Sequence, residues 1–300
     1  MQAARVSPAA IALVLAAAIA HASWNLFGKQ AAETGAACFI WLLATSVTVL
    51  YLPVVAITAA VTRPHLTGMN WLFLAGTGVL HGAYFLFLQL GYRLGDLSLA
   101  YPIGRGTGAL LAALAGIVLL GERHDLLGYA GIGLIVTGVV VIGLPGRAAL
   151  RQDLAAARPS AASAIGFALV TGLFIGCYTL WDKYAVASLH TEPVLQGYAG
   201  FPVMAAVFTP FALGDRHKLA RVWHEFRPQV LGAAVLSPLA YILVLVALSF
   251  TAVSAIAPAR EVSVLFGVLL GRRLLGEGSL ARRLGAAAAI VAGIIAIALG

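Results

Sequence analysis

The sequence predicts an all-α integral membrane protein: ten transmembrane helices arranged as two inverted five-helix repeats. Three observations carry this reading: an apolar composition, a series of bilayer-length hydrophobic segments, and one offset that relates the two halves. Of the 300 residues, 61% are hydrophobic and 10% charged, and the mean hydropathy is +0.97. Soluble domains carry about 25% charged residues. A water-facing surface cannot be built from so few charges, so lipid must be the solvent.

The segments follow in order. About 20 apolar residues cross a bilayer as a helix. Ten stretches qualify, roughly 8–28, 36–58, 70–91, 97–120, 125–144, 160–182, 193–213, 229–250, 253–271 and 280–299. Helices are the only open-ended solution, because hydrocarbon offers no partner to a free backbone group. The first stretch has no small-residue cleavage site and runs on into "HASWNLFGK", which predicts a retained helix and not a signal peptide. The stretch "GDRHKLARVWHEFRPQ" (Gly214 to Gln229) reads as a solvated connector.

The longest connector, "LPGRAALRQDLAAARPS" (Leu144 to Ser160), divides the segments five and five. Arg105 and Arg260 lie 155 positions apart, as do Glu122 and Glu277 in their "LLGE" runs and Gly138 and Gly293. Lys29 and Lys183 are offset by 154. One shared offset marks an internal duplication, with 1–144 as the first repeat, 145–159 as a basic connector and 160–300 as the second. Five is odd, so the second half crosses the membrane in the opposite sense. Inverted repeats of this kind are typical of secondary transporters, with substrate held near the midplane.

Two five-helix halves, "LLGE" closing helices 4 and 9, and "GLIVTGVVVI" in helix 5 resemble the EamA-type branch of the drug/metabolite transporter superfamily. The resemblance spans essentially the whole chain. It implies proton-linked or facilitated movement of amino acids, other metabolites or drugs through a cavity lined by helices 1, 3, 4, 6, 8 and 9. More narrowly, "HASWNLFGK", "GYRLGDLSLAYPIGRGTG" and the helix-3 histidine are similar to a subgroup linked with phosphonate utilisation.

Ionisable residues inside spans cost about 3 kcal/mol on insertion scales and mark functional sites by default. Arg105 lies in "YPIGRGTG", well inside span 4, where its planar fork can hold a carboxylate or phosphonate bidentately. The competing reading is an arginine that snorkels to the near interface. Recurrence as Arg260 favours the cavity. Glu261 is read as a counter-ion, with proton carrier as the alternative. His21, Trp24 and Asn25 share one face of helix 1, and Tyr178, Trp181 and Asp182 share one face of helix 6. Helix 3 carries His81 and Tyr84, with Gln89 two turns beyond His81; Tyr101 and Tyr241 complete the set. The predicted substrate shell is therefore Trp24, Asn25, His81, Tyr84, Tyr101, Arg105, Tyr178, Trp181, Tyr241 and Arg260, with Glu261 and His21 in coupling or counter-ion roles. Lys29, Lys183, Glu122 and Glu277 sit at helix ends and read as interfacial or capping groups.

Several classes are excluded. The net charge of +8 is spread over short connectors, so it implies no nucleic-acid partner. Cys38 and Cys177 both lie in apolar segments, which indicates neither a disulfide framework nor a metal site. There is no phosphate loop and no metalloprotease helix motif. No cofactor or metal is expected. The expected partners are a small-molecule substrate, protons and membrane lipids, in a multi-pass protein of the bacterial inner-membrane type, acting as a monomer or dimer. The alternative function is an intramembrane transferase on lipid-linked substrates, with His81 or His21 as base.

Charge also predicts orientation. Connectors 1–2, 3–4, 5–6, 7–8 and 9–10 hold thirteen of the Lys and Arg residues, whereas the opposite side holds four: Arg5, Arg63, Arg123 and Lys183. The positive-inside rule then puts both termini away from the cytoplasm. The family resemblance implies the reverse.

Overall fold

A computed structural model describes residues 8–32, 34–120, 125–143, 161–248, 262–277 and 280–299. These residues form ten helices: α1 (Pro8–Ala31), α2 (Ala36–Thr62), α3 (Gly68–Leu94), α4 (Leu97–Leu120), α5 (Leu126–Gly143), α6 (Ala161–Ala187), α7 (Pro193–Gly214), α8 (Arg216–Leu248), α9 (Ser263–Leu275) and α10 (Leu280–Leu299). Six of them, α2, α3, α6, α7, α8 and α10, are long and apolar enough to cross a membrane, and α5 is a shorter apolar helix. The described residues form helices joined by short turns, in a multi-pass membrane protein.

One boundary differs from expectation. The basic stretch after Gly214 is exposed but is no connector: it forms the first turns of α8. Asp215 starts that helix by accepting from Lys218 N at 2.9 Å. Pro228 removes one helical donor, and the chain kinks just before it at Phe226 (φ −122°, ψ 19°). The predicted ninth segment begins among residues outside the described set, so α9 is described only from Ser263.

The helices pack in a definite pattern: α1 on α8, α3 on α6, α4 on α6, α2 on α7 and α5 on α10, with α9 against α1 and α4. Small residues allow the closest approaches. A Cβ on Gly131 would come 2.6 Å from Gly293 O, and one on Gly293 would come 2.6 Å from Gly131 O, so only glycine fits at this α5–α10 crossing.

Successive helices alternate in direction, which gives the bundle two ends. At the termini end α1 begins and α10 finishes. There Asn70, in the capping box of α3, donates to Leu189 O at 3.1 Å and Thr191 Oγ1 at 2.9 Å. At the other end α3 turns into α4, and three elements grip that corner. Lys29 of α1 donates to Gly95 O at 2.9 Å and also to Tyr92 O. Glu277, just past α9, accepts from Leu97 N at 2.7 Å and Ser98 N at 2.8 Å. Arg283 of α10 pairs with Asp96 at 2.6 Å. The corner end is held shut by polar bonds between distant parts of the chain.

Candidate functional site

A cavity of about 460 Å³ lies inside the bundle, within the size range of small-molecule sites. Its described lining runs from mid-depth, at Trp24 and Arg105, to the termini end, at Val186 and Pro193.

Helix periodicity explains which side chains reach it. On α1, His21 and Trp24 are one turn apart and both line the cavity. Trp24 Nε1 donates to His21 Nδ1 at 3.3 Å, and the two rings meet edge to face at 5.3 Å. On α3, His81 and Tyr84 repeat this spacing. His81 stacks on Tyr178 of α6 with centroids 4.1 Å apart. Its Nδ1 lies 2.9 Å from Thr77 O. Thr77 Oγ1 lies 3.0 Å from the same nitrogen and can donate to it or accept from it, so the direction of these bonds follows the ring tautomer.

Arg105 faces the cavity from α4 and is 7% exposed. Its helix is drawn tightly onto α6, because Gly104 sits against Thr171 and Gly108 against Ile175. Asp182 lines the same cavity four residues beyond Tyr178 and accepts from Gln196 Nε2 at 2.9 Å. Tyr241 of α8 also lines the cavity, against Gly197 of α7. Among the described residues the walls therefore present one deep guanidinium, one carboxylate, two imidazoles, several phenol rings and an indole. Such a surface can hold a small solute with charged ends and an organic body.

Of the predicted shell, Trp24, His81, Tyr84, Arg105, Tyr178 and Tyr241 line the cavity together with His21. Three others stand behind its wall. Asn25 donates to His21 O at 2.7 Å and accepts from Tyr92 Oη at 2.6 Å. Tyr101 bonds Ser263 Oγ at 2.8 Å, and Ser263 itself reaches the cavity. Trp181 stacks on Phe73 at 4.1 Å and donates to Phe73 O at 2.9 Å. Arg260 and Glu261 lie outside the described residues, as does Glu122. Sequence reasoning placed Asp182 on the correct face but not in the site, because the predicted span ended at residue 182. The helix continues to Ala187, which puts the carboxylate inside it. Gln196, Ser237 and Ser263 carry no charge or motif that would have singled them out. Among the described residues, no three His, Cys, Asp or Glu side chains are grouped to hold a metal ion.

A membrane-embedded helical bundle around a polar, aromatic-walled cavity is the architecture of a solute-handling membrane protein. The EamA-like transporter family model matches residues 8–144. An uncharacterised transporter from Sinorhizobium sp. is 31% identical over 100 residues, which is 32% of this chain and 70% of that protein. The multidrug resistance protein EbrB of Bacillus atrophaeus is 40% identical over 67 residues, 22% of this chain and 57% of its own length. The quaternary ammonium compound-resistance protein QacE of Escherichia coli is 35% identical over 68 residues, 23% of this chain and 62% of its own. The chain thus spans less than two thirds of EbrB and QacE. A crystal structure at 18% identity shares the fold over 96% of this chain and 98% of its own, with a TM-score of 0.51. The chain belongs to the EamA-like transporter family, and it is a multi-pass membrane transporter.

Proposed function

We propose that this protein is a secondary transporter that moves a small polar metabolite, zwitterionic or anionic, by alternating access. The observation that carries this is Arg105: a guanidinium 7% exposed that faces a cavity reaching one end of the bundle, while the other end is bound shut. Arg105 meets the anionic end of the solute, His81 and the aromatic rings hold its body, and Asp182 suits a cationic end.

The inverted-repeat reading is supported by the packing. Exchanging α1–α5 for α6–α10 turns the α1–α8 contact into α6–α3, α2–α8 into α7–α3, and α1–α9 into α6–α4, all of which are present. The α2–α7, α4–α9 and α5–α10 contacts map onto themselves. Two such halves can rock about a shared central site.

EbrB and QacE are named for multidrug and quaternary ammonium resistance. Arg105 and Asp182 in one cavity suit a solute with both an acidic and a cationic end over a purely cationic one. His81 is the group that couples protons to the movement, because histidine changes charge between about pH 5 and 8. A thermal-shift screen over amino acids, phosphonates and cationic drugs identifies ligands. Flux of the best ligand in proteoliposomes then tests the proposal: the solute must arrive chemically unchanged on the far side. Conversion of the solute without flux would overturn it. His81→Gln is expected to retain solute binding and to flatten the pH profile of uptake.

A further inference from the structure

Gln89 lies on α3 between two residues already met. Phe85, one turn earlier, lines the cavity, and Tyr92, three residues on, belongs to the closed corner end. Gln89 is 0% exposed, yet neither its Nε2 nor its Oε1 has a hydrogen-bond partner. The amide is pressed against α1, where a Cβ on Gly28 would come 2.9 Å from Nε2.

Gln196 and Gln229 each leave only the amide oxygen unpaired, and Gln196 Nε2 binds Asp182 Oδ1 at 2.9 Å. Among the described residues, two other buried amides are bonded through both atoms. Asn25 binds His21 O and Tyr92 Oη. Asn70 binds the Thr67 backbone, Leu189 O and Thr191 Oγ1. A structural amide earns its place through such bonds, and an orphaned one is costly to bury. A leucine at position 89 would fill the same space without that cost. The polar group therefore points to a second arrangement of the bundle in which its bonds are made.

The position of Gln89 says where that arrangement opens. It stands directly below the cavity floor, on the line from Trp24 and Phe85 to the Lys29 contacts with Tyr92 and Gly95. Separation of α1 from α3 at the corner end would bare one amide donor group and one acceptor on an otherwise apolar and aromatic wall. An uncharged amide offers both kinds of bond without trapping a charged solute.

We propose that Gln89 is a wall residue of the second half of the path, presenting its amide to water and solute once the corner end opens. This rests on the alternating-access reading. The chemistry it serves is that of a hydrogen-bonding solute leaving, or entering, on the side of the α3–α4 corner.

The test uses cysteine accessibility and needs no solute. In a full-length chain carrying Cys38→Ala and Cys177→Ala, single cysteines are placed by Gln89→Cys, Ser237→Cys in the cavity wall, and Ala44→Cys in the closed core of α2. Oriented vesicles are treated from each face with a membrane-impermeant maleimide. The expected result is labelling of Ser237→Cys from the termini face. Gln89→Cys should label from the corner face at least about tenfold faster than Ala44→Cys, as local opening requires. Lys29→Ala, which loosens that end, should accelerate it further. Labelling of Gln89→Cys as slow as Ala44→Cys from both faces, or from the termini face only, overturns the proposal. Intact flux with that result would leave the transport reading standing.

A second variant decides between path and packing. Gln89→Leu should melt at the wild-type temperature or higher while its flux falls about tenfold or more. A lower melting temperature would mean that the amide is structural, and wild-type flux would mean that no solute meets it. Either result overturns the proposal.

Discussion

Glu277 accepts hydrogen bonds from the backbone N–H of Ser98 at 2.8 Å and from its hydroxyl at 2.6 Å, so a carboxylate at the end of α9 caps the first turn of α4. The first N–H groups of a helix have no partner within it, and negative charge there also suits the helix dipole. Leu97 N completes the cap at 2.7 Å. Glu277→Ala should therefore destabilise the folded protein by at least one charged hydrogen bond, about 1.5–3 kcal/mol. Arg283→Ala should cost less. Its guanidinium also reaches Ser98 Oγ and Glu277, but Asp96 is 40% exposed and Glu277 is 4.0 Å away, so these contacts contribute less than the three bonds of the cap. Melting temperatures in detergent give the order; equal losses would contradict the assignment of the cap to Glu277.

This cap illustrates what a sequence carries and what it hides. Helix positions were legible because apolar runs of bilayer length admit few alternatives. The faces of α1, α3 and α6 were legible too, since i, i+3, i+4 spacing brought His21 with Trp24 and His81 with Tyr84. Pairing across helices was not. Glu277 and Ser98 stand 179 positions apart, and no local pattern links them. Lys29 read as an end group, and it is one, but the carbonyls it serves belong to α3 and the corner after it. Asn25, Tyr101 and Trp181 carried the same polar-face signal as the cavity residues. Only packing decides whether such a side chain faces the space or the helix beside it.

Asp215 gives a pH-dependent prediction at the exposed start of α8. Hydrogen bonds from the Lys218 backbone and side chain hold its carboxyl below the usual carboxylate value of 3.8. A depressed folded pKa means that the ionised cap stabilises the helix fully above the unfolded value and is lost as pH falls through the folded one. Wild type and Asp215→Ala should differ by a constant amount from neutral pH down to about pH 5, and the difference should shrink below about pH 4. Thermal unfolding followed by circular dichroism across that range checks it. A gap that widens on acidification would show that the charge of Asp215 is not what caps α8.

Arg105 separates two chemistries by one substitution. A guanidinium that grips an anion bidentately is not replaced by an ammonium, because lysine keeps the charge and loses the planar fork. Arg105→Lys should then fail nearly as badly as Arg105→Ala. Losing a buried charged partner costs about 2–5 kcal/mol of binding, roughly 30- to several-thousand-fold in affinity. A snorkelling arginine would tolerate lysine. Size-exclusion profiles confirm folding, and ligand-induced thermal shifts read the binding. Wild-type shifts in folded Arg105→Lys would remove Arg105 from the anion site.

Orientation follows from charge, and the two ends of the bundle sharpen the question. Thirteen Lys and Arg residues belong to the predicted connectors and adjoining helix ends of the corner side, against four on the termini side. Among the described residues, five of the thirteen are engaged in the folded protein: Lys29 and Arg272 with backbone carbonyls, Lys218 with Asp215, Arg283 with Asp96 and Arg227 over the Trp223 ring. Topology is set during insertion, before those contacts form, so all thirteen count. Without these five, eight would still face four. The corner end is thus expected in the cytoplasm, with the cavity and both termini facing away from it. Alkaline phosphatase fused to the C-terminus, active only outside the cytoplasm, should be active there, and a green fluorescent protein fusion at the same site should be dark. Fluorescence with inactive phosphatase would place the termini inside, and the cavity would then open to the cytoplasm.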